Sequence, residues 1–268
     1  MPVPRSLILR MNAGSVQIHT IMFPTRRKHK MWYSPLLERT LPSSILVLGA
    51  TGRNGPAFVK VALELPKPPT LTLYVRSRSR GKLPESVEKQ ARVIEGKLTD
   101  KNALLDAMEG VDVVVSFLSA RVSFRAFIFR IKSTPIGDAF PVILSAMRTR
   151  GVKRIFTLST PSFSVDSSEV FNLKWSIYAA LPKLIVPQGN AEMIAIAKAV
   201  VAANDLDWTV FRVPRLTGKA ADLRVAAGLI GPRFEGTIDL SRASMAVWIL
   251  KEIEEREWVK KAPMLGNY

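Results

Sequence analysis

Apolar positions along this chain follow two alternating rhythms. Short runs rich in leucine and β-branched residues occur at Ile45–Leu48, Leu71–Val75, Arg92–Glu95, Val111–Leu118, Arg154–Ser159 and Trp208–Arg212. Runs of this length and composition predict strands. Between them, residues 54–65, 103–108, 136–150, 190–203 and 241–256 carry an apolar face of helical period. Val111–Leu118 is apolar on both faces, as a strand in the middle of a parallel sheet must be. Pro66-Lys67-Pro68-Pro69 forces a turn before the second strand, and Asp100 is positioned to cap the helix at Ala103–Met108. Repeated strand–helix units of this size predict an α/β fold, a doubly wound parallel sheet in a single domain over 44–268. Two insertions, near 119–134 and 161–189, follow the fourth and fifth strands. Both fall where open parallel sheets hold ligands, beyond the carboxyl ends of the strands.

Gly49-Ala50-Thr51-Gly52-Arg53-Asn54-Gly55 stands directly behind the first strand. Glycines there permit a tight turn, let backbone approach a pyrophosphate, and let helix pack close on strand. The free N–H groups and dipole of the following helix attract the anion. Pro56 suits the first turn of that helix. The fold expected is therefore Rossmann-like, with Gly49, Thr51, Gly52, Arg53, Asn54 and Gly55 on a dinucleotide. NAD-selective sites place Asp or Glu at the end of the second strand. Here that position is Arg76, followed by Ser77, Arg78, Ser79 and Arg80, and the only acid between Gly49 and Pro84 is Glu64, on the first helix. Arginine forks with nearby hydroxyls suit the 2′-phosphate of NADP, with Arg53 able to clamp its other side, so Arg76 and Arg78 predict NADP(H). The alternative is a solvated basic loop.

Composition narrows the chemistry. With 268 residues, 47% of them hydrophobic, the chain can bury one substantial core. It has no cysteine, and both histidines, His19 and His29, precede the glycine motif. Thiol catalysis, histidine bases, Ser-His-Asp triads and a metal site are accordingly not expected in the body. Net charge is +17; residues 1–44 carry seven Lys/Arg and one acid, so +11 belongs to the rest. This reads as a basic cytoplasmic enzyme attracting an anionic cofactor, with no specific nucleic-acid partner. No apolar run reaches about 18 residues, so no transmembrane helix is expected. Residues 1–43, with Arg26-Arg27-Lys28-His29-Lys30, read as a basic flexible extension. A mitochondrial transit peptide is the alternative, and Met11, Met22 and Met31 are possible alternative starts.

Further segments join the glycine motif and Val75-Arg76: Glu95-Gly96-Lys97-Leu98-Thr99-Asp100, Gly151-Val152-Lys153-Arg154-Ile155 leading to Leu158-Ser159-Thr160, and Leu206–Pro214. Together they resemble the atypical short-chain dehydrogenase/reductases, the NmrA-like and NAD(P)H-binding group that includes biliverdin/flavin reductases and fungal averufin-oxidase-like oxidoreductases. The resemblance implies that Thr51, Arg53, Asn54 and Arg76 hold phosphates and that Leu98 lines the adenine pocket. It also implies that Leu118 and Ser119 pass along the nicotinamide ribose, with Ser159 and Pro214 bordering the ring. Lys97 stands where the group usually has Asp, which changes the charge beside the adenine.

Many short-chain dehydrogenases use Tyr-x-x-x-Lys. Here Tyr178 is followed by Lys183 five residues on, with Pro182 between, and no other tyrosine has a lysine four positions later. That spacing does not put both side chains on one helical face. A conjugated acceptor, such as a flavin, quinone, enone or polyketide-like aromatic, needs little from side chains, because hydride comes from the cofactor and the proton can come from solvent. Ser159 is a candidate to hydrogen-bond the acceptor oxygen, or else a hydroxyl satisfied by backbone. Arg215 is a candidate to steady an anionic substrate or the carboxamide, or else a surface ion pair. Tyr178 is a candidate proton donor or a packing residue, and Glu192 reads as favourable to its own helix dipole. Phe124, Phe127, Ile128 and Ile131 share a helical face flanked by Arg121, Arg125, Arg130 and Lys132. This segment suits a docked helix, a lid or a peripheral membrane contact. An NADPH-dependent oxidoreductase is the leading expectation. A non-catalytic NADP-binding redox sensor of the NmrA type and a cofactor-assisted isomerase are the alternatives. Oligomeric state stays open.

Overall fold

A computed structural model describes residues 44–119, 133–165 and 169–268. The expected basic extension and the aromatic face from Phe124 to Ile131 lie outside the described residues. Strand β1 (Ser44–Leu48) is buried along its whole length and leads through the glycine loop into helix α1 (Gly55–Leu63). Strand β2 (Thr70–Val75) follows, then two one-turn helices, α2 (Ser77–Arg80) and α3 (Glu85–Glu88), and strand β3 (Ala91–Glu95). Helix α4 (Lys101–Ala107) starts where expected: the Asp100 carboxylate accepts from the Ala103 amide at 3.1 Å.

Strand β4 (Val113–Ser116), helix α5 (Pro135–Arg150) and strand β5 (Arg154–Ser159) continue the alternation. Helix α5 ends at Gly151, whose φ of +73° allows the Val152 amide to reach the Met147 carbonyl at 2.9 Å. The second insertion carries helix α6 (Leu173–Ile185), and helix α7 (Pro187–Val201) leads to strand β6 (Asp207–Arg212). Short strands β7 (Arg215–Thr217), β8 (Val225–Gly228) and β9 (Asp239–Ser241) precede helix α8 (Arg242–Glu255) and strand β10 (Met264–Asn267).

The main sheet runs β3-β2-β1-β4-β5-β6-β10-β8. Its pairings are parallel except at the edge, where β8 runs antiparallel to β10; β7 and β9 form a separate parallel pair. This is the Rossmann-like doubly wound α/β sheet expected, as one domain. Alternate residues of each strand face opposite layers. Ile45, Val47, Val115 and Phe156 pack with α1 and α8 through Phe58, Met245 and Ile249. Leu46, Leu48, Val114 and Ile155 pack with α4, α5 and α7 through Leu104, Phe140 and Ile196. Strand order reverses between β1 and β4, opening a crevice at their carboxyl ends, where such sheets bind ligands.

Two expectations about the fold need correction, and four short strands were not anticipated. Strand β4 is shorter than Val111–Leu118: it begins after Asp112, whose carboxylate accepts from the Ser44 amide at 3.0 Å, and it ends at Ser116. Strands β7 to β10 were not legible, since segments of three or four residues show no period. Glu192 does not serve its own helix: fully buried on α7, it accepts from the Ile136 and Gly137 amides of α5 at 3.0 and 2.9 Å. Those are the orphan donors of the neighbouring helix N-terminus, behind Pro135. Gly137 permits that approach, since a Cβ there would lie 2.6 Å from the Ala195 Cβ.

Candidate functional site

Crowding dictates the glycine loop. Gly49 has a φ of +84°, and a Cβ there would lie 3.1 Å from the Phe117 carbonyl carbon of the neighbouring strand end. The Gly52 amide closes a turn onto the Gly49 carbonyl at 3.0 Å. A Cβ on Gly55 would lie 2.6 Å from the Ala50 Cα, so α1 can start this close to β1 only with glycine. The first turn of α1 holds no acid, and its N-cap makes no side-chain capping bond. Its amides are thus available to an anion, and this cradle fits a dinucleotide pyrophosphate. Thr51 is half-buried and Arg53 exposed in the loop. Asn54 is buried, and its amide oxygen accepts from Arg242 Nε at 3.0 Å, which ties the loop to α8.

At the end of β2, Arg76 is exposed and precedes α2, on which Arg78 is also exposed. Sequence reading missed Glu95, which pairs in register with Val75 at this same sheet end. Its signal was available as the last residue of the predicted third strand. Glu95 is held by the Ser77 hydroxyl and by Arg80 at 3.0 Å, and these two bonds keep its carboxyl below its ordinary range. Next to it, a Cβ on Gly96 would collide with the Tyr74 ring, 2.6 Å from Cζ. The Tyr74 hydroxyl donates to the Lys97 carbonyl at 2.7 Å. Burial, then the charge of Asp100, pushes this phenol up to about 12, so it stays a donor. Leu98 is half-buried against the core, and Lys97 itself is exposed.

A cavity of about 250 Å³ opens past the carboxyl ends of β4, β5 and β6. It gathers Ser119, Ser159, Tyr178 and Pro214 from four different segments, together with Thr160, Asn190, Met193 and Val213, which sequence reading did not single out. Leu118, half-buried, precedes Ser119 at the crevice. The Ser159 hydroxyl is buried and donates to the Met193 carbonyl at 3.3 Å. Ser162 bridges the polar part of the wall, within 2.7 Å of the Thr160 hydroxyl and 2.6 Å from the Asn190 side-chain oxygen. Tyr178 is half-buried on α6, edge-on to Trp175 at 5.8 Å. Burial raises its phenol above the ordinary value, partly offset by the amide and charge of Arg215.

Arg215 does not line this cavity. It forms a two-pronged pair with Asp239, its register partner across β7 and β9, at 2.7 and 2.9 Å. A second, buried arginine was also missed. Arg212, 1% exposed at the end of β6, bonds the Phe163 carbonyl and both oxygens of Glu169, whose Oε1 also accepts from the Ile230 amide. This pair anchors the insertion that carries Tyr178 to the sheet.

The fold has known counterparts. A short-chain dehydrogenase/reductase of Veillonella parvula in complex with NADP superposes with a TM-score of 0.63 at 17% identity, over 84% of this chain and 94% of that one. The anaerobillin reductase ChuY of Escherichia coli O157:H7 gives 0.60 at 14%, over 83% and 96%. The oxidoreductase ylbE of Lactococcus lactis gives 0.60 at 15%, over 84% and 91%. At these identities the likeness is one of fold. No curated protein sequence matches the chain. A family profile described as NAD(P)H-binding matches residues 49–256, from the first glycine of the loop to the end of the last helix. With that match over most of its length, and with a glycine cradle that fits the coenzyme, the chain belongs to the NAD(P)H-binding family.

Proposed function

We propose that this chain is an NADPH-dependent oxidoreductase acting on a conjugated or aromatic small molecule, such as a flavin, quinone, enone or polyketide-like ring. The nicotinamide, when bound, supplies hydride. Arg76 and Arg78 hold the 2′-phosphate, and the amides of the glycine loop hold the pyrophosphate. The Ser77 hydroxyl and the Arg80 guanidinium hold Glu95, which offsets the repulsion its carboxylate would exert on that phosphate. Ser119, Ser159 and Pro214 border the ring, and the apolar wall from Met193 and Val213 excludes water. Tyr178 is protonated at neutral pH and is the proton donor in this reading. The observation that carries the proposal is the cavity itself, which collects groups from four segments at the sheet end where ligands bind. Likeness to an anaerobillin reductase adds support for a conjugated acceptor.

A second reading, an NADP-binding redox sensor without turnover, is favoured by one observation: Ser159 and Arg215 are both engaged within the fold. Mixing NADPH with a panel of flavins, quinones and aromatic ketones and following nicotinamide absorbance separates the two. Oxidation of NADPH with at least one member is expected. Tight binding with no oxidation across the panel would refute the oxidoreductase and favour the sensor.

A further inference from the structure

Helix α6 has two apolar sides. Trp175 and Tyr178 face inward, edge-on to one another, with Trp175 also against Phe234 at 5.5 Å. On the other side, Leu173, Ile177 and Leu184 recur at helical spacing, each more than half exposed. Phe171, 76% exposed, lies just before the helix, and Ile185, 56% exposed, is its last residue. Most of the large apolar residues exposed among the described residues belong to this one insertion. Scattered exposed aliphatics need no explanation, but a contiguous stripe on one helix marks a contact surface.

Charge identifies the contact. Lys174 and Lys183 flank the stripe and are exposed, and no Asp or Glu occurs between Val170 and Ala191. Glu169, just before it, is committed to Arg212. A two-fold contact with a second copy would bring these lysines towards their own images, on a chain of net charge +17. A surface bearing negative charge over an apolar layer complements both features. At 13 residues the helix is about 20 Å long, too short to cross a hydrocarbon core of about 30 Å. Among the described residues no single helix is long and apolar enough to do so.

We propose that the outer face of α6 docks in the plane of an anionic lipid surface, its aliphatic side chains among the acyl chains and Lys174 and Lys183 at the headgroups. This surface goes beyond the hydride-transfer reading and does not depend on it.

The test is flotation of the full chain with vesicles of phosphatidylcholine alone and of phosphatidylcholine mixed with phosphatidylglycerol. Binding is expected on the mixed vesicles and should weaken as salt is raised. Ile177→Glu combined with Leu184→Glu should weaken it at least about tenfold while NADPH binding, read by fluorescence, stays intact. Lys174→Gln combined with Lys183→Gln, which leaves the apolar stripe untouched, should reduce the preference for the anionic vesicles. Three results overturn the proposal: no flotation of the wild-type chain on mixed vesicles, equal flotation of all variants, or a wild-type dimer in light scattering that the Glu variant dissolves. Vesicle binding is read without turnover, so an inactive chain would count against the enzyme reading alone.

Discussion

Removing the Glu169 carboxylate should loosen the insertion beside the cavity more than the glycine loop. Arg212 is 1% exposed at the end of β6, and its Nε has no partner among the described residues. Glu169 supplies both of its oxygens to that guanidinium and also accepts from the Ile230 amide at 3.0 Å. Among the described residues, Glu169→Ala therefore leaves a buried guanidinium with the Phe163 carbonyl as its remaining hydrogen bond. Breaking one side of a buried pair costs about 3–5 kcal/mol. For a chain of this size that corresponds to a fall in Tm of roughly 6–20 °C. Glu169→Gln keeps the volume and one acceptor oxygen, so its loss should be smaller.

The pH dependence has a definite sign. Burial alone would raise the Glu169 carboxyl, but bonding to Arg212 outweighs it, and the net shift is downward. Stabilisation from a lowered carboxyl is fully present above its unfolded value near 4.5 and is lost as pH falls through the folded value. The gap between wild type and Glu169→Ala, measured by calorimetry at neutral and acid pH, should narrow in acid. Since the insertion carries Tyr178, turnover should drop further than NADPH affinity. A Tm within about 2 °C of wild type at neutral pH would refute the reasoning, because a desolvated arginine cannot lose its carboxylate that cheaply.

Other consequences are direct. Arg76→Ala should weaken NADPH by about 1.5–3 kcal/mol in titration calorimetry, the range for a hydrogen bond to a charged group, and leave NADH unchanged. An unaltered preference between the two coenzymes would remove Arg76 from the phosphate site. Gly55→Ala should abolish coenzyme binding, because the added Cβ would lie 2.6 Å from the Ala50 Cα and push α1 off the loop. Tyr178→Phe should lower kcat about 10²-fold with NADPH affinity intact. Because its phenol is raised, wild-type activity should not fall with deprotonation until pH exceeds the ordinary tyrosine value of 10.0, and an unchanged kcat would assign the proton to solvent.

The candidate site was legible to different depths. Gly49, Gly52 and Gly55 could be read directly, because a backbone crossing at that range leaves room for no side chain, and sequence records that as glycine. Arg76 and Arg78 were legible from their place after a recognisable strand. Their surroundings were not: Glu95 lies 19 positions beyond Arg76 in the chain and reaches the same sheet end only because β2 and β3 pair in register. Ser119, Ser159 and Pro214 were named from family likeness, and they meet at one cavity with Tyr178. Thr160 and Asn190, hydroxyl and amide residues in unremarkable contexts, gave no local sign that Ser162 would join them.

Local physics explains the division. Strand and helix periodicity, the proline-forced turn, the Asp100 cap and the glycine loop each depend on neighbours within a few residues, so the chain alone determined the alternating α/β order and the coenzyme cradle. Partner choice depends on distance through space. Glu192 capping α5, Arg215 held by Asp239, and Arg212 taking Glu169 all join residues 24 to 56 positions apart. Burial sets the strength of the Glu192 and Arg212 bonds, and burial exists only once both sheet faces are covered. The polar wiring around the cavity was therefore decided by the tertiary structure.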